Sequence, residues 1–473
     1  MYEPKTEPFE HQNRALDAAV DRTGFAYLME MGTGKTKVMI DESGDLFCRN
    51  EIDVLMIICP KSVMRTWERE IETHMGVECT VAMWTSSPNK AQKAKMEEVL
   101  EKTPGVLRVL IMNVEAFSAG TKAYAYARRV LEHCRTYMGI DESQTIKGPG
   151  SKRTKKILEL GRMADFRRIA SGSPAPNSPM DYYSQLEFIH PGSTRQRSFY
   201  GFRARYAVLR EKIFGGRRVK VEVGYRNLEE LQGIIRQYSF RVRKDECLTL
   251  PEKIYTQRSV EFTPEQQRLY REMRTEALAM VGTTFVSSQA AITTLIRLQQ
   301  ITCGFVRDDE GDLHPVNSNR VDAVMEIAES TEEDIIIWTG HRPAVDMLSR
   351  ALREKYGEEA VAEFHGGNVS TRDDDAARFV SDSSCRFMVA TQSAGARGNT
   401  WINATQVVYF SNTFNLEERI QSEDRCHRSG QTNHVTYTDL VVEGTVDEKL
   451  RESLIRKENI SALLVGEDPR EWM

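Results

Sequence analysis

Short apolar runs recur along the chain, separated by amphipathic stretches of helical length. Val54–Cys59, Val106–Met112 and Tyr137–Ile140 fall in the N-terminal half, and Ile335–Trp338, Phe387–Ala390, Val407–Phe410 and Val435–Val442 in the C-terminal half. Such runs predict buried strands, and the gaps between them predict crossover helices, the pattern of parallel α/β sheets. Sheets of this kind bind ligands at the carboxyl ends of their strands. Several runs end in side chains with chemistry to offer: Cys59-Pro60-Lys61-Ser62, Asp141-Glu142 and Thr339-Gly340-His341.

The rhythm breaks between about Met180 and Cys247. There Lys212–Tyr225 predicts a β-hairpin turning at Gly215-Gly216, and Asn227–Tyr238 predicts a helix. A further helix starts at Thr263-Pro264-Glu265-Gln266, with Thr as N-cap, Pro at the first helical position and Gln closing a capping box. The expected organisation is a first α/β lobe over 1–250 with a helical and hairpin insertion at 180–247, a linker at 251–255, and a second α/β lobe over 256–473.

A length of 473 residues exceeds what one core usually covers, which agrees with two lobes. Hydrophobic residues at 40% and charged residues at 28% are ordinary for a soluble globular chain. No apolar run is long enough to cross a bilayer, and Met1-Tyr2-Glu3-Pro4 does not open a signal peptide, so no membrane partner is expected. The eight cysteines stand far apart with no CxxC pair. That argues against a zinc site and a disulfide framework and predicts a reducing, cytoplasmic setting. The net charge of −5 argues mildly against a nucleic-acid partner, but phosphate contacts need only a local basic track. The stretch Arg195–Lys220 offers one, with Arg195, Arg197, Arg203, Arg205, Arg210, Lys212, Arg217, Arg218 and Lys220 against the single acid Glu211. The same stretch also reads as a solvated surface.

Met31-Gly32-Thr33-Gly34-Lys35-Thr36 follows the apolar Phe25–Leu28 and precedes a helical stretch. Glycines let backbone N–H groups close around a phosphate, and a helix N-terminus adds partial positive charge. In that setting Gly32, Thr33 and Gly34 form a phosphate loop, Lys35 neutralises the β/γ-phosphates of ATP, and the Thr36 hydroxyl holds Mg²⁺. Only the short form of the pattern is present, because Met29 stands where the full form has Gly. Asp141-Glu142 supplies the acidic partners: Asp141 as a metal ligand, Glu142 to orient the attacking water and take its proton. By itself such a pair also suits a helix cap.

The ordered series of motifs resembles superfamily-two helicases, and within them the Swi/Snf family of DNA-translocating ATPases. Pro8-Phe9-Glu10-His11-Gln12 resembles the opening element, whose glutamine, here Gln12, contacts adenine. Pro60-Lys61-Ser62-Val63 with Trp67 and Glu70, then Asn113-Val114-Glu115, resemble motifs along the nucleic-acid backbone. Asp141-Glu142-Ser143-Gln144 with Ile146-Lys147 resembles the DEAH box. Ser171-Gly172-Ser173-Pro174 with Asn177 resembles the motif coupling hydrolysis to movement. Arg241-Val242-Arg243-Lys244 and Leu250-Pro251-Glu252-Lys253 resemble the segment joining the family's lobes.

The series continues through Ile337-Trp338-Thr339-Gly340, Phe364-His365-Gly366-Gly367 with Arg372 and Phe379, Thr391 to Thr400, and Gln421-Ser422-Glu423-Asp424-Arg425-Cys426-His427-Arg428-Ser429-Gly430-Gln431. Arg425 and Arg428, at i and i+3, would share one face of a helix. The resemblance implies two RecA-like lobes with ATP and Mg²⁺ in the cleft between them. It implies that Arg425 and Arg428 act as arginine fingers. It also implies nucleic-acid contacts from Lys61, Ser62, Asn113, Lys147, Thr339, Arg372, Thr391 and Arg397. Three departures stand out. Gln144 replaces His in the DEAH box and cannot gain a charge. Arg397 stands where an apolar residue is usual, and Leu416 where Pro is usual.

The expected function is ATP-driven translocation on double-stranded or branched DNA by a monomer, remodelling forks, junctions or protein–DNA complexes, with replication or repair proteins as further partners. With the first motif near the N-terminus and Gly444-Thr445-Val446-Asp447-Glu448 resembling the closing helix, the expectation is a bare motor of prokaryotic or phage type, in the host cytoplasm if phage-encoded. The alternatives are a strand-separating DNA or RNA helicase and a catalytically inactive nucleic-acid scaffold.

Overall fold

The computed structural model describes residues 2–118, 120–175, 178–214, 217–283, 288–308, 310–395 and 400–456. The chain divides into two compact units, Met1–Leu248 and Thr249–Met473. Each is an α/β lobe around one parallel sheet, as the apolar runs predict.

The first lobe contains β1 (Gly24–Met29), β2 (Val54–Cys59), β3 (Cys79–Met83), β4 (Leu107–Asn113), β5 (Thr136–Asp141), β6 (Phe166–Ala170), the hairpin pair β7 (Ala207–Phe214) and β8 (Arg217–Tyr225), and β9 (Ser239–Val242). Its main sheet runs β3-β4-β2-β5-β6-β1-β9, with all pairs parallel. Two cores flank it because alternate strand residues face opposite ways. Phe25, Tyr27 and Met29 of β1 join one core, and Ala26 and Leu28 the other. The hairpin forms as expected, though its Gly215-Gly216 turn lies outside the described residues, and the helix Leu228–Gln237 follows it. The insertion is shorter than 180–247, because β9 pairs with β1 and belongs to the main sheet.

The second lobe contains β10 (Lys253–Ser259), β11 (Phe305–Arg307), β12 (Leu313–Pro315), β13 (Ile335–Thr339), β14 (Val361–Phe364), β15 (Phe387–Thr391), β16 (Gln406–Tyr409) and β17 (Val435–Val441). Its parallel sheet runs β10-β17-β16-β13-β15-β14. The helix Pro264–Thr283 carries the predicted capping box, Gln266 N–H donating to Thr263 Oγ1 and Thr263 N–H to Gln266 Oε1. The expected linker 251–255 is corrected. Its residues from Lys253 onward are strand, held by seven aligned positions between Lys253 and Ser259 against β17. Their polar sequence hid a sheet edge.

Candidate functional site

At the carboxyl end of β1, Gly32 and Gly34 take left-handed φ values of 81° and 82°, and the helix Lys35–Cys48 begins. A Cβ on Gly34 would also meet the Gln12 amide nitrogen at 2.1 Å. No side chain caps this helix, so its first-turn N–H groups and dipole are available to an anion. Thr33 Oγ1 and Lys35 Nζ both donate to the Glu30 carbonyl, at 2.7 and 3.3 Å. Thr36 sits half-buried beside Lys35 in the first turn. Gln12 ties the loop down: its amide donates to the Thr33 carbonyl at 3.2 Å while its oxygen accepts from Phe9 N–H at 2.9 Å. Any adenine contact would use the remaining capacity of that amide.

Asp141 ends β5, with β6 standing between β5 and β1. Its Oδ2 accepts the Trp67 indole N–H at 2.9 Å, and its Oδ1 the Glu142 N–H at 2.9 Å. Burial, and then the charge of Glu142, push the Asp141 carboxyl up to about 6 against the pull of Lys35. Glu142 is held at a left-handed φ of 51°, a strained conformation of the kind found at functional sites. Its Oε2 accepts from Gln144 Nε2 at 2.7 Å. Gln144 Oε1 in turn accepts from Ser171 Oγ at 2.8 Å, and that hydroxyl accepts Ser173 N–H at 3.0 Å. A Cβ on Gly172 would lie 3.2 Å from Met31 N, so this motif runs beside the phosphate loop. One hydrogen-bonded chain therefore joins the acidic pair to the coupling motif.

The first-lobe nucleic-acid candidates share the carboxyl edge of neighbouring strands β4, β2 and β5. Lys61 is exposed and Ser62 half-buried in the turn after β2. Asn113 ends β4 and donates to Glu115 at 3.1 Å, and Lys147 Nζ lies 4.0 Å from Asp181. In the basic stretch, Arg203 and Arg205 are paired with Glu222 and Glu230, while Arg195, Arg197, Arg210, Arg218 and Lys220 are exposed.

In the second lobe Thr339 ends β13 fully buried, its hydroxyl 3.0 Å from Ser411 Oγ. It shapes the turn and offers no surface group. Arg372 stacks over the Phe364 ring at 5.1 Å, and Thr391 is buried at the end of β15. Arg397 and Asn177 lie outside the described residues. The expected helical pairing of Arg425 and Arg428 is corrected: the helix Leu416–Glu423 ends before both. Beyond the helix the Glu423 carbonyl accepts from both His427 N–H at 3.2 Å and Tyr437 OH at 2.9 Å, and Trp401 N–H donates to the Arg425 carbonyl at 2.9 Å. Arg428 donates to Thr400 Oγ1 at 2.6 Å, and Arg425 Nε to the Gln421 carbonyl at 3.2 Å. Glu423, beside them in sequence, belongs to another cluster. It accepts from Arg419, Lys253 and Tyr255 at 2.8, 2.9 and 2.8 Å. Those partnerships, like that of Trp67 with Asp141, had no sequence signal beyond the residues' membership of motifs.

Residues 24–305 match the SNF2-related domain, and residues 319–430 the helicase conserved C-terminal domain. Among curated proteins, an uncharacterized ATP-dependent helicase of Mycoplasma pneumoniae is 25% identical over 93% of this chain and 40% of its own length. The DNA repair and recombination protein RAD54-like of Gallus gallus is 24% identical over 93% of this chain and 64% of its own. The chain thus spans only 40% to 64% of these two relatives. A solved structure, the Sulfolobus solfataricus SWI2/SNF2 ATPase core in complex with dsDNA, is 22% identical, covers 99% of this chain and 95% of that one, and has a TM-score of 0.43. Since the SNF2-related match alone takes in more than half of its residues, the chain belongs to the SNF2-related family.

Proposed function

We propose that this protein is a nucleic-acid-stimulated ATPase that moves on double-stranded DNA and remodels forks, branched junctions or protein–DNA complexes. The observation that carries the reading is the uncapped helix N-terminus at Lys35 with the half-buried Asp141 and the strained, buried Glu142 two strands away on the same sheet edge. The names of the relatives, an ATP-dependent helicase and a DNA repair and recombination protein, support it.

Gly32, Thr33 and Gly34 would hold the phosphates through backbone N–H groups, and Lys35 would exchange the Glu30 carbonyl for a phosphate oxygen. Thr36 and Asp141 would hold Mg²⁺. Their chemistry fits that ion, because both are oxygen donors, Thr36 in the first turn of the uncapped helix and Asp141 at the end of a strand two positions away on the same sheet edge. Among the described residues no group of three or more His, Cys, Asp or Glu side chains forms a cage, which suits an ion that binds one or two carboxylates plus substrate phosphates. When bound, Mg²⁺ neutralises charge on the phosphates. Glu142, oriented by Gln144, positions water and takes its proton. Arg425 and Arg428 are the second lobe's candidates for stabilising charge on the transferred phosphoryl group. Lys61, Ser62, Asn113, Lys147 and Arg372 would touch backbone phosphates, which carry no sequence information and so suit movement over any sequence.

The test compares ATP hydrolysis with duplex DNA, single-stranded DNA, RNA and a branched junction side by side. Duplex or branched DNA is expected to stimulate most, and stimulation by RNA alone overturns the reading. Strand separation is the second reading, favoured by the word helicase in the Mycoplasma relative's name. A strand-displacement assay separates the two.

A further inference from the structure

The first lobe's nucleic-acid candidates and its carboxylate pair lie on different strands, and one helix joins them. Lys61 and Ser62 form the turn Lys61–Val63 directly after β2, and the helix Met64–His74 follows without a break. Trp67, in that helix's first turn, is 1% exposed and packs in the same core as Val38 and Met39 of the phosphate-loop helix. Its indole N–H donates to Asp141 Oδ2 at 2.9 Å, while Oδ1 takes the local Glu142 amide. One carboxylate oxygen is therefore fixed by its own turn, and the other by the helix that follows the turn carrying Lys61.

We infer that Trp67 is a positioning residue through which a nucleic-acid backbone held at Lys61 and Ser62 sets the orientation of Asp141 and hence the rate of ATP hydrolysis. This rests on the ATPase reading above. A close-packed interior transmits displacement, so the helix cannot shift at its N-terminus without carrying the indole. A charge-assisted hydrogen bond is short and directional, so a small shift re-aims the carboxylate. The claim is of coupling through one named bond, which a double-mutant cycle can measure.

Trp67→Phe keeps the ring and deletes the donor. Stimulated kcat is expected to fall about tenfold, while the DNA concentration for half-maximal stimulation moves less than about twofold. Mn²⁺ binding in the presence of ADP, read from the paramagnetic resonance of free Mn²⁺, is expected to weaken by about the same factor. Lys61→Ala should lose stimulation, and adding Trp67→Phe to it should cost little more. Wild-type stimulation and Mn²⁺ binding in Trp67→Phe, or fully additive losses in the double variant, overturn the proposal. A further measurement needs no variant in the core. In protein labelled with 5-fluorotryptophan, the Trp67 fluorine resonance should shift on adding duplex DNA without nucleotide, and an unmoved resonance also overturns it. If the ATPase reading is itself wrong, the wild type hydrolyses no ATP with any nucleic acid, which overturns both. Failure of this proposal alone leaves a stimulated wild type matched by a stimulated variant.

Discussion

Asp141, half-buried at the end of a first-lobe strand, and Glu423, buried in the second lobe, are carboxylates whose surroundings shift them in opposite directions. Burial raises Asp141, Glu142 raises it further, and Lys35 with the hydrogen bonds from Trp67 and Glu142 recovers only part, leaving it at about 6. Burial acts on Glu423 too, but Lys253 and Arg419 outweigh it and hold the carboxyl down at about 2. The rest of each neighbourhood follows suit. Around Glu423, the Arg419 guanidinium also meets both oxygens of Asp439. Around Asp141, Lys35, the cation that pulls it down, is also bonded to a backbone carbonyl. A buried carboxylate whose charge is fully matched is framework. One left with excess negative charge is a place where a cation gains most by arriving.

Asp141→Asn tests that contrast hardest. Loss of a metal ligand should remove several kcal/mol of transition-state stabilisation, lowering hydrolysis about a thousandfold or more. Stability should move the other way. The folded-state value of Asp141 lies above its ordinary 3.8, so its contribution to stability is full below 3.8 and is lost as pH rises through about 6. At pH 7 without metal the wild type therefore carries a penalty that the neutral amide lacks. Thermal unfolding of the first lobe should occur at higher temperature in Asp141→Asn at pH 7, and the gain should vanish below about pH 4. An inactive variant with no gain would mean that Asp141 is as well matched as Glu423. Wild-type hydrolysis should itself fall as pH drops through about 6.

Asp439→Ala sharpens the other side. It leaves the Arg419 guanidinium buried without its two-oxygen partner, and removing one member of a buried pair costs about 3–5 kcal/mol. Denaturant unfolding should show that loss in the second lobe's transition only. Glu423 adds a pH signature. Its folded value lies below its ordinary 4.5, so its stabilisation is full above 4.5 and fades as pH falls toward about 2. Glu423→Gln should flatten that acid slope, and an unchanged slope would assign it to other carboxylates.

The same contrast governs what the sequence revealed. Continuous apolar runs such as Val54–Cys59 and Ile335–Trp338 announced their strands because both faces of a central strand are buried. β6 escaped notice because Arg167 and Arg168 interrupt it. Buried Arg168 has its charge matched by Glu42, 126 positions away, and no local pattern carries such a pair. β10 looked like a linker because it is a polar sheet edge. The phosphate loop was legible because Gly32 and Gly34 are demanded by backbone geometry, a local property. The Trp67 bond to Asp141 and the early end of the helix before Arg425 were not, since each depends on a residue brought in by the fold.

The smallest expected effect lies in the chain from Glu142 through Gln144 to Ser171. An amide can present either its nitrogen or its oxygen, and only the nitrogen attracts the Glu142 carboxylate. Ser171, donating to Gln144 Oε1, fixes the productive orientation. A histidine in that place could change charge with pH. Gln144 gives a constant dipole, dependent on its neighbour for direction. Ser171→Ala should therefore lower kcat about fivefold, worth about 1 kcal/mol, with KM for ATP unchanged. Gln144→Ala should lower it further, because the contact with Glu142 goes directly. The double variant should be no worse than Gln144→Ala alone, as steady-state kinetics on the three proteins would show. If Ser171→Ala proves the more damaging single change, the serine acts on the phosphate loop beside Met31 and not through Gln144, and Glu142 is oriented without it.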